Sequence, residues 1–367
     1  KNMNGPEKTK TKPIKVCFLF EGFSRTELFK KYQHGEVPDS LFFGYNHLLH
    51  DSSLRVMLID LNKRPSFGGF VAHNKRFFDI TKELSNFDVV ISSVGLPYFI
   101  TQLVVPLRRP IWIFLNINLS NVLKKRHFLS LKRWVLILAL RRIDHIFCLS
   151  SRQMNELMEV GIRQSNLSVL HFGVDYDFFA HAGGHAASDY LLAVGRDVGR
   201  DYGTLIEAAR LIPYKVIIIT SKRNMVGVEN MPANVSVLYD APHTEVRRMY
   251  QGALAVLVIS QPDDAFVGSD CSGQMTVLEA LALGRPVIAT RKAWMSDYFS
   301  EEDIFIVPPR DPVMLALKIN WVVENQFEAS RMANRGKKLV ETMFNTKSMS
   351  KIVGRKIKEL FHNKTNV

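Results

Sequence analysis

Short, unbroken apolar runs recur along the chain. Ile14–Phe20 (IKVCFLF) is the first, followed by Leu54–Asp60, Phe87–Ser92, Ile111–Leu115 and His145–Leu149. Runs of this length without polar alternation suit strands buried on both faces, as in a parallel sheet. Helix-length segments separate them: Asp39–His50, Pro97–Val105, Val122–Arg142 and Ser151–Val160. Strands alternating with helical stretches predict βαβ units. The second half repeats the scheme. Its strands are Leu191–Val194, Lys215–Thr220, Val235–Tyr239, Ala253–Ile259, Pro286–Ala289 and Ile304–Val307. Its helices are Tyr202–Leu211, Thr244–Gly252, Thr276–Leu283, Pro312–Asn325 and Glu328–Met343. A small polar break at Gly183, Gly184 and His185–Ser188 reads as the linker. The prediction is α/β, with two doubly wound domains facing a cleft. Ligands of such sheets sit at the carboxyl ends of the strands.

The chain has 367 residues, which favours two domains. Apolar residues make up 47% and charged residues 23%, ordinary globular usage. Cys17, Cys148 and Cys271 are too few and scattered for a disulfide framework or zinc site, and a reducing cytosol is the easiest reading. The N-terminus has no apolar stretch of signal-peptide type. The longest uncharged run, Val89–Leu107, carries Gly95, Pro97 and Pro106 and reads as strand, turn and buried helix.

The net charge of +13 calls for an anionic partner. Residues 1–180 hold 25 Lys/Arg against 15 Asp/Glu, and residues 181–367 hold 23 against 20. No acidic residue stands between Asp88 and Asp144, while nine basic ones do. The excess therefore crowds one part of the first domain. Residues 1–13 read as a disordered polar tail that carries some of it.

Three segments carry candidate chemistry. In CSGQMTVLEALALGRPVIAT (Cys271–Thr290), Ser272 and Gly273 open a helix. A helix start of this kind leaves backbone N–H groups free beside a partial positive charge, the outline of a diphosphate site. Glu279 lies under two turns further on, where a carboxylate reaches ribose hydroxyls; the plain alternative is a surface Glu on an ordinary connection. In AVGRDVGRDYGTLIEA (Ala193–Ala208), Arg196 and Arg200 stand between a strand and a helix. Two such cations suit a diphosphate, or are solvated surface arginines. In VLHFGVDYDFF (Val169–Phe179), Gly173 marks a turn ending the first domain, and its aromatics suit packing.

In this order and spacing, the three segments resemble retaining glycosyltransferase family 4, whose fold is GT-B. The resemblance is good over about residues 140–345 and topological before that. It implies two Rossmann-like domains: an acceptor domain at 14–180 and a nucleotide-sugar domain at 181–345. A C-terminal helix, 346–367, would return to the first domain. It implies that Glu279 holds the donor ribose and that the amides of Met275 and Thr276 bind its diphosphate. Arg196 matches the phosphate-binding arginine. Asp201 stands where the family has a lysine, which leaves Arg200 as the nearest substitute. Asp240 and Ala241 match the base-reading region. Asp270, Cys271, Ser272, Gly273 and Gln274 complete the donor loop, and Gly22 matches the glycine turn after the first strand.

There are departures from the family. Cys271 occupies the first acidic position, eight before Glu279, so Asp270, Asp263 or Asp264 is expected to contact the sugar. The glycine pair is only Glu21–Gly22, and Asn116 and Asn118 follow the strand where an acceptor histidine is usual. His127 is the candidate by position.

VLKKRHFLSLKRWVLILALRR (Val122–Arg142) is basic and free of acids, with Leu131, Trp134, Val135 and Leu138 on one helical face. Such a helix suits an anionic membrane surface. The alternative is a core helix with solvated arginines. Both hold together if the apolar face packs inward and Lys124, Lys125, Arg126, Lys132 and Arg133 face lipid.

The reading is a retaining glycosyltransferase without cofactor or metal, transferring from a UDP-sugar or GDP-mannose to a lipid-linked or glycan acceptor. The expected setting is cell-envelope or exopolysaccharide synthesis, on the cytoplasmic face of a membrane. The rival readings are an epimerase of the same fold, a non-catalytic partner subunit favoured by Cys271, and a nucleic-acid binder. The last lacks any recognition motif, and no nucleic-acid partner is expected.

Overall fold

A computed structural model describes residues 12–21, 24–61, 70–124, 131–180 and 189–365. The first domain holds β1 (Ile14–Glu21), β2 (Leu54–Leu61), β3 (Val89–Ser92), β4 (Ile111–Asn116), β5 (His145–Cys148) and β6 (Leu167–Val169). They form a parallel sheet in the order β2-β1-β3-β4-β5-β6. Its helices are α1 (Arg25–Gln33), α2 (Tyr45–Leu48), α3 (Phe70–Leu84), α4 (Leu96–Val104), α5 (Leu119–Lys124), α6 (Leu131–Leu140), α7 (Ser151–Glu159) and α8 (Tyr176–Ala180).

The second domain holds β7 (Tyr190–Val194), β8 (Lys215–Thr220), β9 (Val235–Tyr239), β10 (Ala255–Val258), β11 (Val287–Thr290) and β12 (Phe305–Val307). Their order is β12-β11-β10-β7-β8-β9, again parallel. Strand order reverses between β10 and β7, and the crevice at such a switch point takes ligands. Its helices are α9 (Tyr202–Ala209), α10 (His243–Gly252), α11 (Gln274–Ala282), α12 (Pro312–Glu324) and α13 (Gln326–Thr342). The last helix, α14 (Thr346–Thr365), buries Met349, Val353 and Ile357 against Val16 and Phe18 of β1.

The chain leaves the first domain and returns to it at one crossing. Val174 N–H donates to Phe344 O at 2.9 Å, and Thr346 N–H donates to Val174 O at 3.0 Å. The neighbouring Gly173 has no room for a side chain, because a Cβ there would lie 2.5 Å from the Asn345 carbonyl. Asp175 then caps α8 through Phe178 N–H and accepts Asp39 N–H at 2.8 Å. The Gly-Val-Asp run is thus a chain-crossing device.

Two expected helices differ. The segment 39–50 is a 3₁₀ turn (Asp39–Phe42) followed by α2, separated by Phe43 and Gly44 in left-handed conformations. The segment 122–142 contains the end of α5 and all of α6, with 125–130 outside the described residues. Nor does the expected apolar face of α6 turn inward. Trp134 is 65% exposed, and Val135 and Leu138 are exposed too, while Ala139 and Leu140 are buried. The inward stripe is Leu136, Ile137 and Leu140, set by contact with the core beneath the sheet. The linker at 183–188 lies outside the described residues. Pattern reading passed over α1, α3 and α8.

Gly173→Ala should destabilise the fold by about 1–3 kcal/mol, because overpacking here pushes on backbone and not on a flexible side chain. Gly203→Ala, on open ground in α9, should be neutral or mildly stabilising. Thermal unfolding of both variants checks the contrast.

Candidate functional site

The switch point of the second sheet collects the predicted donor residues. Gly273 starts α11 with φ 91°, a left-handed conformation that glycine adopts freely, and no side chain caps the helix. The N–H groups of its first turn have no intrahelical acceptor. Around this start, Ser260 Oγ, Ser272 Oγ and Arg200 Nε are buried without hydrogen-bond partners. Buried polar atoms are nearly always satisfied, so three orphans near one helix end suit a polar ligand.

Arg200 lies beneath that start, not in the open cleft; it is 8% exposed. Its Nη2 donates to Val194 O at 2.8 Å and to Thr276 Oγ1 at 2.5 Å. Its Nη1 lies beside Gly273, 3.1 Å from where a Cβ would stand. The guanidinium therefore ties the end of β7 to α11 and adds positive charge at the helix start. Asp201 is the N-cap of α9, accepting from Thr204 N and Oγ1, which gives the acid at this position a structural role. The Asp197 carboxylate accepts from Gly199 N and Ser269 N, joining the loop after β7 to the loop before α11.

Arg196 is half-exposed. Its Nη2 donates to Ala241 O at 3.1 Å, and its Nε lies 3.6 Å from Asp240, which is itself exposed. Ala241 is buried. Glu279 lies one turn beyond Thr276 on α11, and its Oε2 accepts from the buried Tyr250 Oη at 2.9 Å. Burial raises the Glu279 pKa to about 7, against the Tyr250 hydrogen bond and the Arg200 charge, which lower it.

Arg196, Ala241 and Glu279 line one pocket of about 420 Å³ between the domains. The second domain contributes Gly195, Arg196, Ala241, His243 and Glu279; the first contributes Arg25, Leu28 and Leu41. Burial, then Arg196 and Lys31, lower the His243 pKa and favour a neutral ring. Arg25, His243 and Tyr250 were not singled out by sequence. No motif marks them; only the folded geometry brings them to Glu279.

Other predicted residues lie elsewhere. Cys271 is buried in the second domain's core, and burial raises its thiol pKa well above the usual value. Asp270 accepts from Gln153 Nε2 of α7 at 3.2 Å, across the domain boundary. Asp263 is held by Arg152 at 2.7 Å and by the buried Lys292 at 2.6 Å, while Asp264 is exposed. Asp270 and Asp263 both serve contacts between the domains, as does Asp297, which accepts Ser151 N–H at 2.7 Å. Met275 is partly buried and Thr276 is buried. Asn116 Oδ1 accepts Leu119 N–H at the start of α5. Gly22, His127, Lys125 and Arg126 lie outside the described residues, as do the side chains of Lys124 and Lys132; Arg133 is partly buried.

Comparison with solved structures matches both domains at once. The structure of Anabaena Alr3699/HepE in complex with UDP-glucose has a TM-score of 0.70 and 13% identity, covering 94% of this chain and 100% of that one. Sucrose-phosphate synthase from Thermosynechococcus elongatus has a TM-score of 0.70 and 16% identity, covering 95% and 100%. The fold is GT-B. The apo lipopolysaccharide outer core galactosyltransferase WaaB is similar too, with a TM-score of 0.63 and 16% identity over 94% and 99%. Residues 188–339 of this GT-B chain match the family model of glycosyl transferases group 1. Among curated proteins, none matches the chain by sequence.

A pKa of about 7 for Glu279 lies above its usual value near 4.5, so the folded protein holds an extra proton between them. The stability from this group is complete below the lower value and is lost as pH rises through the upper one. Glu279→Gln keeps an acceptor for Tyr250 and stays neutral. The ligand-free variant should therefore melt above the wild type at pH 8, with the gap closing by pH 5. A gap independent of pH contradicts this.

Proposed function

We propose that the protein is a glycosyltransferase that takes a sugar, with retention of configuration, from a UDP-sugar to a glycan or lipid-linked acceptor. The observation that carries this reading is the pocket shared by Arg196, Ala241 and Glu279, with Glu279 on the helix whose uncapped start at Gly273 leaves its first N–H groups free. A nucleoside diphosphate supplies the missing partners. Its diphosphate meets the free N–H groups, its ribose meets Glu279, and its base lies against Ala241 on the loop after β9. UDP is favoured over GDP because the HepE structures hold UDP or UDP-glucose. A glycan acceptor is in keeping with the similarity to WaaB.

In the reaction, the bond between the anomeric carbon and the diphosphate oxygen breaks, and that oxygen takes the electron pair. The acceptor hydroxyl attacks from the same face and passes its proton to the departing diphosphate. Arg196 and the helix N–H groups stabilise the developing charge directly, and Arg200 does so from beneath. No metal is assigned a role.

The first test is binding. UDP and UDP-sugars should raise the melting temperature more than GDP or GDP-mannose, because bound ligand stabilises by mass action. A hydrogen bond to a charged group contributes about 1.5–3 kcal/mol, so Glu279→Ala should weaken donor binding roughly 10- to 100-fold and abolish measurable turnover. Unchanged turnover would sink the assignment. Nucleotide binding without turnover on any acceptor would instead favour a non-catalytic partner subunit.

The same reading places the first domain against the cytoplasmic face of an anionic membrane, as part of cell-envelope or exopolysaccharide synthesis. Among the described residues no helix is long and apolar enough to cross a membrane. Trp134, Val135 and Leu138 instead project from α6, within the acid-free basic segment, as an interfacial helix would require. Vesicles with anionic lipid should retain the protein at low salt, and Trp134→Ser with Leu138→Ser should release it. Equal retention of the double variant counts against this face.

A further inference from the structure

Arg25 opens α1 and is the cation that the first domain contributes to the pocket lining. Its obvious counter-charge is occupied. Asp60 Oδ1 accepts the Arg25 backbone N–H at 3.0 Å, and Asp60 Oδ2 accepts from Thr26 N and Oγ1 at 3.0 and 2.9 Å. Asp60 thus holds the start of the helix. The guanidinium lies over the Phe20 ring at 5.1 Å, and its Nε is buried without a hydrogen-bond partner. Burial lowers the Arg25 pKa, and Asp60 offsets this only in part.

A half-buried cation whose nearest carboxylate is engaged by backbone N–H groups gains from a further anionic acceptor. Across the pocket stands Arg196, and the carboxylate that shares the lining, Glu279, is held partly protonated near neutrality. Two guanidinium groups line one space in which Glu279 is the carboxylate of the lining, while Asp240 lies 3.6 Å from Arg196 outside that lining. Planar Arg donors match the oxygens of a phosphate or diphosphate.

We propose that Arg25 binds the donor diphosphate directly from the first domain, with Arg196 meeting it from the second. One dianion then bridges both domains, and the sugar is held at the boundary where the acceptor enters. This rests on the donor reading above and adds a contact from the other half of the molecule. Ser24 caps α1 and Asp60 fixes its first turn, so the backbone that carries Arg25 is held, and the Phe20 ring supports the guanidinium.

The test compares UDP with uridine, by calorimetry, on the wild type, Arg25→Met and Arg25→Lys. Arg25→Met keeps an apolar stem over Phe20 and removes the donors. It should weaken UDP about tenfold or more and leave uridine within about twofold. Arg25→Lys, which keeps the charge but not the fork, should fall between. Unliganded melting temperatures should stay close to wild type. Equal weakening of UDP and uridine, or of neither, overturns the proposal, as does a lowered melting temperature with an unchanged UDP-to-uridine ratio. If the wild type binds no nucleoside diphosphate, the donor reading falls with it.

Discussion

The site depends on the crossing where Val174 and Asn345 run side by side. Both connections between the domains pass through it, and it is drawn tight by two backbone hydrogen bonds. Gly173 permits the approach, and the Asp39 N–H bond to Asp175 adds the first domain's own contact. Further along the boundary, Arg152–Asp263, Gln153–Asp270 and Ser151–Asp297 hold α7 against the second domain. With the crossing at one end and these contacts at the other, a pocket lined by Arg25 and Glu279 together becomes possible. Neither domain alone contains it.

Around that pocket, electrostatics follow from what is buried. Arg200 sits under α11 with its donors turned to Val194 O and Thr276, so its charge acts on the helix start at short range and with little screening. Glu279 is enclosed beside Tyr250, and desolvation outweighs the neighbouring cation, leaving the carboxyl poised near neutrality. An exposed glutamate in the same helix would be fully charged. A carboxylate that ionises readily only when it gains further hydrogen bonds suits a site that binds hydroxyl groups.

Much of the scaffold was legible because its strands are buried on both faces. Runs such as Val89–Ser92 and Val287–Thr290 have no polar alternation, and no other element of that length has so uniform a demand. The α11 segment was legible for a related reason, since a glycine just before a long apolar helix has few other uses. Failures came where tertiary contact overrides local pattern. Asp39–His50 has helical composition, but Phe43 and Gly44 turn the chain so that Phe43 meets Phe172 at the crossing. Cys271 and Asp263 sit in a loop whose sequence suggests ligand contact; their side chains pack the core and hold α7. Arg25 carries no sequence signal, because its meaning comes from residues some 170 to 250 positions away.

The charge imbalance gains its meaning from this geometry. The second domain, close to neutral, offers an anion single arginines and the N–H groups of one helix start. The first domain holds the large excess, and α6 there exposes Trp134 and its neighbours where a core helix would bury them. An exposed apolar strip costs solubility unless something covers it, and a basic, acid-free segment around it selects for an anionic cover. Arg25 belongs to the same domain, yet it faces the cleft and stands apart from that strip. The first domain therefore carries two separate basic features: a distributed one suited to an extended anionic surface, and a single guanidinium at the cleft suited to one small dianion.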